Sequence, residues 1–320
     1  MIFARYAGAV PIAAVCLTVA VVLLVRVTLD AHEPADSPVD AAPPSVATPG
    51  TLRWVAVGDI GHLNSSSNDI AAAIGTTCAR LGCDFGILLG DNLYPRGMQK
   101  DDDPRMHQLF SKLYAPIGIP FYAVLGNHDD NPLDPATARR EVEFSSYAPL
   151  FRMPGRMYAF ATDSAEFVAF DTPRIFWFGG DAHATWIRGG DRRKPWRVAF
   201  GHHPFRSNGP HGNAGAYEGW RHIPYLSGNS LETFFKQHLC GEFDLYLSGH
   251  DHNQQLIEHC GLTLVVTGAG SGSREVVERG NTPLFTSDKT GFVWIELSTQ
   301  LLVRFFDGQG HLLYEHVRLR

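Results

Sequence analysis

Residues 85–95 read FGILLGDNLYP. An apolar run of strand length stops at Gly90, and a carboxylate, Asp91, follows at once. The same arrangement occurs four more times: LRWVAVGD at 52–59, FYAVLGNHD at 121–129, RVAFGHH at 197–203 and DLYLSGHDH at 244–252. Each run has the length and the β-branched or aromatic content of a buried strand. Glycine frees the backbone for a sharp turn, and the next residue projects from the strand's C-terminal end. In α/β sheets that edge is where sites are built. Helical patterns lie between the runs, at about 68–81, 104–114 and 230–239, and further strands are expected at 292–297, 301–306 and 312–317. Two groups of strands with helices between them predict two packed sheets flanked by helices.

Composition limits what such a domain does. Of 320 residues, 27 are Lys or Arg and 33 are Asp or Glu, a formal charge of −6. That balance excludes a general nucleic-acid binder, which needs a basic face to displace counterions. An apolar content of 44% with 19% charged residues suits a globular chain and excludes a mainly disordered one. The 15 histidines direct attention to metal ligands.

The N-terminus reads differently. Residues 7–25 form an apolar run broken only by Pro11 and Thr18, long enough to span a bilayer. A membrane anchor within 1–29 is expected, with a cleaved signal peptide as the alternative. Either places the bulk of the chain outside the cytoplasm, periplasmic or extracellular. Residues 30–50, rich in Pro and Ala, are expected to be a semi-extended tether, and 51–320 the folded domain. In an oxidising compartment Cys78–Cys83 and Cys240–Cys260 are the expected disulfides, although four cysteines admit three pairings. Cys16, within the apolar run, is expected to be unpaired.

The strand-end residues form an ordered set: Asp59, then Asp91 with Tyr94, then Asn127 and His128, then His202, then His250 and His252. Carboxylate, phenolate, amide oxygen and imidazole all bind hard to borderline cations. Asp59, Asp91, Tyr94, Asn127, His202, His250 and His252 are too many donors for one ion. Two ions sharing a carboxylate would use them all. No Gly-x-Ser-x-Gly elbow follows a strand, so a serine nucleophile has no support.

The series GDIG, GDNLY, GNHD, GHHP and GHDH resembles the metallophosphoesterase superfamily. Within it the pattern is similar to the purple acid phosphatases, nearest the small tartrate-resistant type, over residues 53–318. The calcineurin-like branch usually opens with Asp-x-His. Here Gly61 takes that place, His62 falls one residue too far along, and Tyr94 stands three residues after Asp91. Exchanging an imidazole for a phenolate favours a ferric ion, because the anionic oxygen is hard.

The resemblance implies an α/β, four-layer αββα sandwich of two mixed sheets flanked by helices. It implies Asp59, Tyr94 and His252 on Fe(III), Asn127, His202 and His250 on a divalent Fe, Zn or Mn, and Asp91 bridging. It further implies that His128 and His211 face the substrate; His203 sits where relatives vary and is read as a structural histidine, at most supporting the site without ligating. The implied reaction is hydrolysis of phosphate monoesters, on phosphorylated small molecules or peptides, by a hydroxide generated at the cations and attacking phosphorus in line. A phosphodiesterase or pyrophosphatase with two divalent ions is one alternative, and an exported non-catalytic binding protein another. No obligate protein partner is inferred. The Gly-rich stretch 207–228 should border the cleft, with Asn213, Glu218 and His222 merely solvated. Residues 268–272 (GAGSG) resemble the family's turn near the site, and 181–190 read as short and polar.

Overall fold

The computed structural model describes residues 38–131, 134, 136–188, 194–221 and 226–320. The apolar run 7–25 with Cys16, the first part of the expected tether, residues 189–190 and His222 lie outside the described residues. Among the described residues no helix is long and apolar enough to cross a membrane.

In chain order the first strands are β1 (Val39–Asp40), β2 (Leu52–Val57), β3 (Phe85–Leu88), β4 (Phe121–Ala123) and β5 (Phe151–Arg152). Then come β6 (Tyr158–Ala161), β7 (Ala165–Ala169), β8 (Trp196–Phe200), β9 (Leu245–Ser248), β10 (Gln254–His259) and β11 (Leu262–Thr267). The last are β12 (Pro283–Ser287), β13 (Gly291–Leu297), β14 (Gln300–Asp307) and β15 (Leu312–Leu319). They form a seven-stranded sheet, β15-β14-β13-β2-β3-β4-β5, and an eight-stranded sheet, β1-β6-β7-β8-β9-β11-β10-β12. Both are mixed: β2, β3 and β4 run parallel while β13 is antiparallel to β2. In the other sheet β8 and β9 are parallel while β10 is antiparallel to β11. The expected architecture of two mixed sheets with flanking helices is the one observed.

Aromatic rings hold the sheets face to face. Trp54 of β2 meets Phe167 of β7 edge-on at 5.4 Å, and Phe85 of β3 meets Phe160 of β6 at 5.6 Å. Tyr122 of β4 stacks on Phe160 at 4.0 Å. These side chains are buried, and cutting such a ring to alanine costs about 3–5 kcal/mol. Helix α1 (Ser65–Leu81) turns Ile70, Ala71, Ala73, Ile74 and Thr77 inward, the stripe expected of an amphipathic helix. Its N-terminus is capped by Asn64, which accepts the Ser67 N–H at 3.0 Å. It ends at Gly82, φ +83°, where Cys78 and Cys83 are joined. The other expected disulfide, Cys240–Cys260, is also formed.

The second half of the expected tether differs from expectation. Val39 and Asp40 pair with β6, Ala42 O accepts the Tyr122 hydroxyl at 2.6 Å, and the Ala47 N–H donates to Asp84 at 2.7 Å. Few apolar side chains are needed, because the backbone supplies the bonds. Helices α2 (Ala136–Phe144), α3 (Thr172–Phe178) and α4 (Asp181–Arg188) arise where the sequence shows no clear apolar stripe. The stretch 181–190, read as short and polar, is thus largely helical. The expected helix 104–114 is α-helical only over Pro104–Met106 and π-helical over His107–Tyr114. Helix α5 (Asn229–His238) falls within a residue of its expected bounds. Together α3, α4 and α5 cover the outer face of the eight-stranded sheet through Ile175, Ile187, Phe234 and Phe235, packed on Phe170 and Tyr246.

Candidate metal centre

The parallel strands β2, β3 and β4 of one sheet and β8 and β9 of the other end at the same place. There the backbone is tight. Asp59, Asp91 and His250 adopt left-handed conformations, φ +58°, +51° and +68°, that side chains rarely tolerate. Such strain clusters where surrounding structure dictates the geometry. A Cβ on Gly126 would lie 2.1 Å from Asp91 Oδ1, and one on Gly249 would lie 2.5 Å from Asp59 Oδ2. The strand-end glycines therefore do more than turn: they let the loops close on the carboxylates.

All seven expected ligands meet in one connected group. The Tyr94 hydroxyl is 3.0 Å from Asp59 Oδ1, 2.9 Å from Asp91 Oδ2 and 3.1 Å from His252 Nε2. His252 Nε2 lies 3.2 Å from Asp59 Oδ1. His202 Nε2 lies 3.0 Å from Asn127 Oδ1, 3.1 Å from His250 Nδ1 and 3.5 Å from Asp91 Oδ1. Asp91 turns one carboxylate oxygen to each cluster, Oδ2 to Tyr94 and Oδ1 to His202.

Hydrogen bonds from the main chain aim these groups. His202 Nδ1–H donates across the sheets to Leu89 O at 2.9 Å, which leaves its Nε2 lone pair facing the site. The His250 N–H donates to Asp59 Oδ2 at 2.8 Å, and the His128 N–H to Asp91 Oδ1 at 3.0 Å.

The donor set fits cations. One phenolic hydrogen faces two carboxylate oxygens, and the His202 lone pair faces a carboxylate and an amide oxygen. Lone pairs this close repel unless a positive charge lies among them. Burial, then the charges of Asp59 and Asp91, push the Tyr94 hydroxyl far above its usual value, so it ionises only if a cation replaces its proton. Burial works against a charge on Asp59, but its bond to His252 and the nearby His202 outweigh that and hold its carboxyl below the usual range. His202 and His252 are each opposed by burial and raised on balance by Asp91 and Asp59. His250, buried and ringed by His203, His211, His202 and His252, is held well below its ordinary value. Neutral imidazole is the form that binds metal.

His128 and His211 stand over this group. His128 Nδ1–H donates to Pro95 O at 2.7 Å, and its Nε2 lies 4.0 Å from Asp91 Oδ2. The His211 ring lies 4.3 Å from that of His250. His203 is buried behind the site, its Nδ1 3.0 Å from Thr172 Oγ1 and its ring stacked on Phe176 at 5.5 Å. The turn at 268–272 lies against the first strand-end loop: Gly270 N–H donates to Gly58 O at 3.1 Å and Ser271 Oγ to Asp59 O at 2.5 Å.

Four residues escaped sequence reasoning. Asp129 accepts the N–H groups of Asn92, Leu93 and Gly126 at 3.0, 3.1 and 2.8 Å, stapling two ligand loops together. Burial and the charge of Asp91 raise its carboxyl to about 7. Thr172 Oγ1 accepts the N–H groups of His202 and His203 at 3.1 and 3.0 Å. Asp251, between two expected ligands, turns away from them and accepts the His211 and Gly212 N–H groups at 2.8 and 3.2 Å. Glu218 is exposed, as expected, and is also hydrogen-bonded to His211 Nδ1. Only Asp129, beside His128, and Asp251, between His250 and His252, carried any signal in the sequence.

Comparison with known proteins agrees with this geometry. Residues 52–254 match the family model described as calcineurin-like phosphoesterase. Purple acid phosphatase 3 of Arabidopsis thaliana is 27% identical over 298 residues, covering 83% of this chain and 77% of that protein. Human tartrate-resistant acid phosphatase type 5 is 25% identical over 313 residues, covering 84% of this chain and 91% of that protein. A solved structure of GAP50, the anchor in the inner membrane complex of Plasmodium, superposes with a TM-score of 0.69 at 22% identity, covering 84% of this chain and 89% of that one.

Proposed function

This chain belongs to the calcineurin-like phosphoesterase family, and on that premise we propose that it is a binuclear hydrolase of phosphate monoesters of the purple acid phosphatase kind. The observation that carries the reading is the Tyr94 hydroxyl, within 3.1 Å of Asp59, Asp91 and His252. A phenolate among two carboxylates and an imidazole is a donor set for a hard trivalent ion. In this reading Asp59, Tyr94 and His252 hold Fe(III). Asn127, His202 and His250 hold a divalent Fe, Zn or Mn, and Asp91 joins the two. When bound, the cations supply Lewis acidity, lowering the pKa of water and neutralising phosphoryl charge. The chain's own part is orientation. His128 has its Nδ1 tied to Pro95 O and His211 its Nδ1 tied to Glu218. Each therefore leaves Nε2 toward the site, and with a proton there as well it donates to the phosphoryl or leaving-group oxygen.

The site of action in this reading is outside the cytoplasm, with the apolar run 7–25 as anchor or signal. Two disulfides support an oxidising location.

Metal analysis and a visible spectrum of the oxidised protein test the proposal. We expect one iron with one divalent ion, an absorption band from tyrosinate-to-iron charge transfer, and hydrolysis of p-nitrophenyl phosphate. Tyr94→Phe abolishes the band and weakens iron binding. Two divalent ions with no band would favour the phosphodiesterase or pyrophosphatase alternative, and a loaded protein without turnover the binding-only one.

A further inference from the structure

Glu218 enters the reading only through its bond to His211, and the fold commits it to that bond. Its carboxylate is hydrogen-bonded to His211 Nδ1, and its main-chain N–H donates to His211 O at 2.9 Å. The backbone at Glu218 is left-handed, φ +56°, a conformation a glutamate adopts only when its surroundings impose it. Those surroundings are visible. Tyr217, buried, sends its hydroxyl to Pro204 O, and its N–H bonds Ser227 O at 3.2 Å. Gly215 and Gly219, also at positive φ, bend the chain on either side.

His211 is thereby gripped from three directions. Its N–H is held by Asp251 at 2.8 Å, its ring face lies on His250 with centroids 4.3 Å apart, and its Nδ1 is occupied by Glu218. Nε2 is the ring nitrogen that remains. A carboxylate that accepts from one imidazole nitrogen keeps the proton there and fixes the ring plane, and so decides what the other nitrogen meets; that nitrogen donates when it too is protonated.

We propose that Glu218 is the positioning residue for His211, accepting Nδ1–H and holding the ring so that Nε2–H alone is presented to the oxygens of a phosphoryl substrate. This rests on the reading of His211 as substrate-facing. The same three side chains, His211, Glu218 and His250, lie close enough to hold a further cation, and the test separates that possibility.

A double-mutant cycle on the metal-loaded protein is decisive. Glu218→Ala should lower kcat for p-nitrophenyl phosphate about 10- to 100-fold, the scale of a misplaced catalytic group, with the metal content unchanged. In the His211→Ala background the same substitution should cost nothing further. Glu218→Gln, whose amide oxygen can accept the same hydrogen bond, should retain most of the activity. An equal cost with and without His211, loss of a metal ion in Glu218→Ala, or a glutamine variant no better than the alanine would each overturn the proposal. If the unmodified protein fails to hydrolyse monoesters, the hydrolase reading falls. The cycle is then read in the affinity for inorganic phosphate, where the same non-additivity is required.

Discussion

The two sheets contribute opposite chemistry. The seven-stranded sheet delivers oxygen: Asp59 after β2, Asp91 and Tyr94 after β3, Asn127 after β4. The eight-stranded sheet delivers nitrogen: His202 after β8, His250 and His252 after β9. Neither set alone suffices for two cations. Cross-sheet bonds link them, His202 Nδ1–H to Leu89 O and the His250 N–H to Asp59. A site built this way depends on sheet packing as much as on its ligands, and each side is supported differently. The oxygen side is stapled by Asp129 and fitted closely around glycines. The nitrogen side leans on Thr172, on buried histidines and on the polar loop that Asp251 secures.

The sharpest way to break the comparison is on the oxygen side. Gly126→Ala would put a methyl 2.1 Å from Asp91 Oδ1, so the loop bearing Asn127 must withdraw from Asp91. Metal affinity should fall by at least the roughly 100-fold that loss of an outer hydrogen-bond partner can cost. Near-native titration of both ions would show that the close fit is dispensable.

Acid should act on the nitrogen side. His183 of α4 is buried, and its Nε2 accepts the Asp171 N–H at 3.2 Å. Burial is the main cause of its pKa falling to about 4, with Arg174 and Arg156 adding to it and Asp171 opposing. The unfolded chain binds this proton near pH 6.5 and the folded chain only near 4. Between these values the unfolded state holds more protons, so stability rises with pH. The contribution is full above about pH 6.5 and is lost as pH falls to about 4, on the order of 3 kcal/mol. Urea unfolding of His183→Gln should therefore fall less steeply with acid than that of the unmodified protein. Parallel curves would exclude His183 as the acid-sensitive group.

The smallest effect distinguishes the disulfides, one on each side. Cys78–Cys83 closes a separation of 5 residues at the end of α1, and Cys240–Cys260 one of 20 between the region after α5 and the β10–β11 hairpin. Chain entropy gives the longer loop about 3 kcal/mol and the shorter about 2. Removing Cys240–Cys260 should lower the thermal midpoint more than removing Cys78–Cys83. The reverse order would mean that native-state packing, not loop length, sets their worth.

Much of the site was legible in the sequence because a strand followed by Gly and a donor is a local pattern. The terminal strands were legible too, since alternation and apolar runs are local. The helices 136–144, 172–178 and 181–188 were not: they are short, and the buried faces include the polar residues Thr137, Glu141, Thr172 and His183, which an apolar stripe passes over. The pairing of Val39 and Asp40 with β6 was hidden in the same way: it is made by backbone groups, which every residue carries.

The order of donors along the chain, their chemical types and the strand ends that bear them were determined by sequence alone, since all three are properties of neighbouring residues. Only the tertiary structure decided that oxygens and imidazoles from separate sheets face one another, and that Glu218 grips His211. Those contacts join loops distant in the chain, and the aromatic packing between the sheets and the tight backbone at the strand ends bring them together.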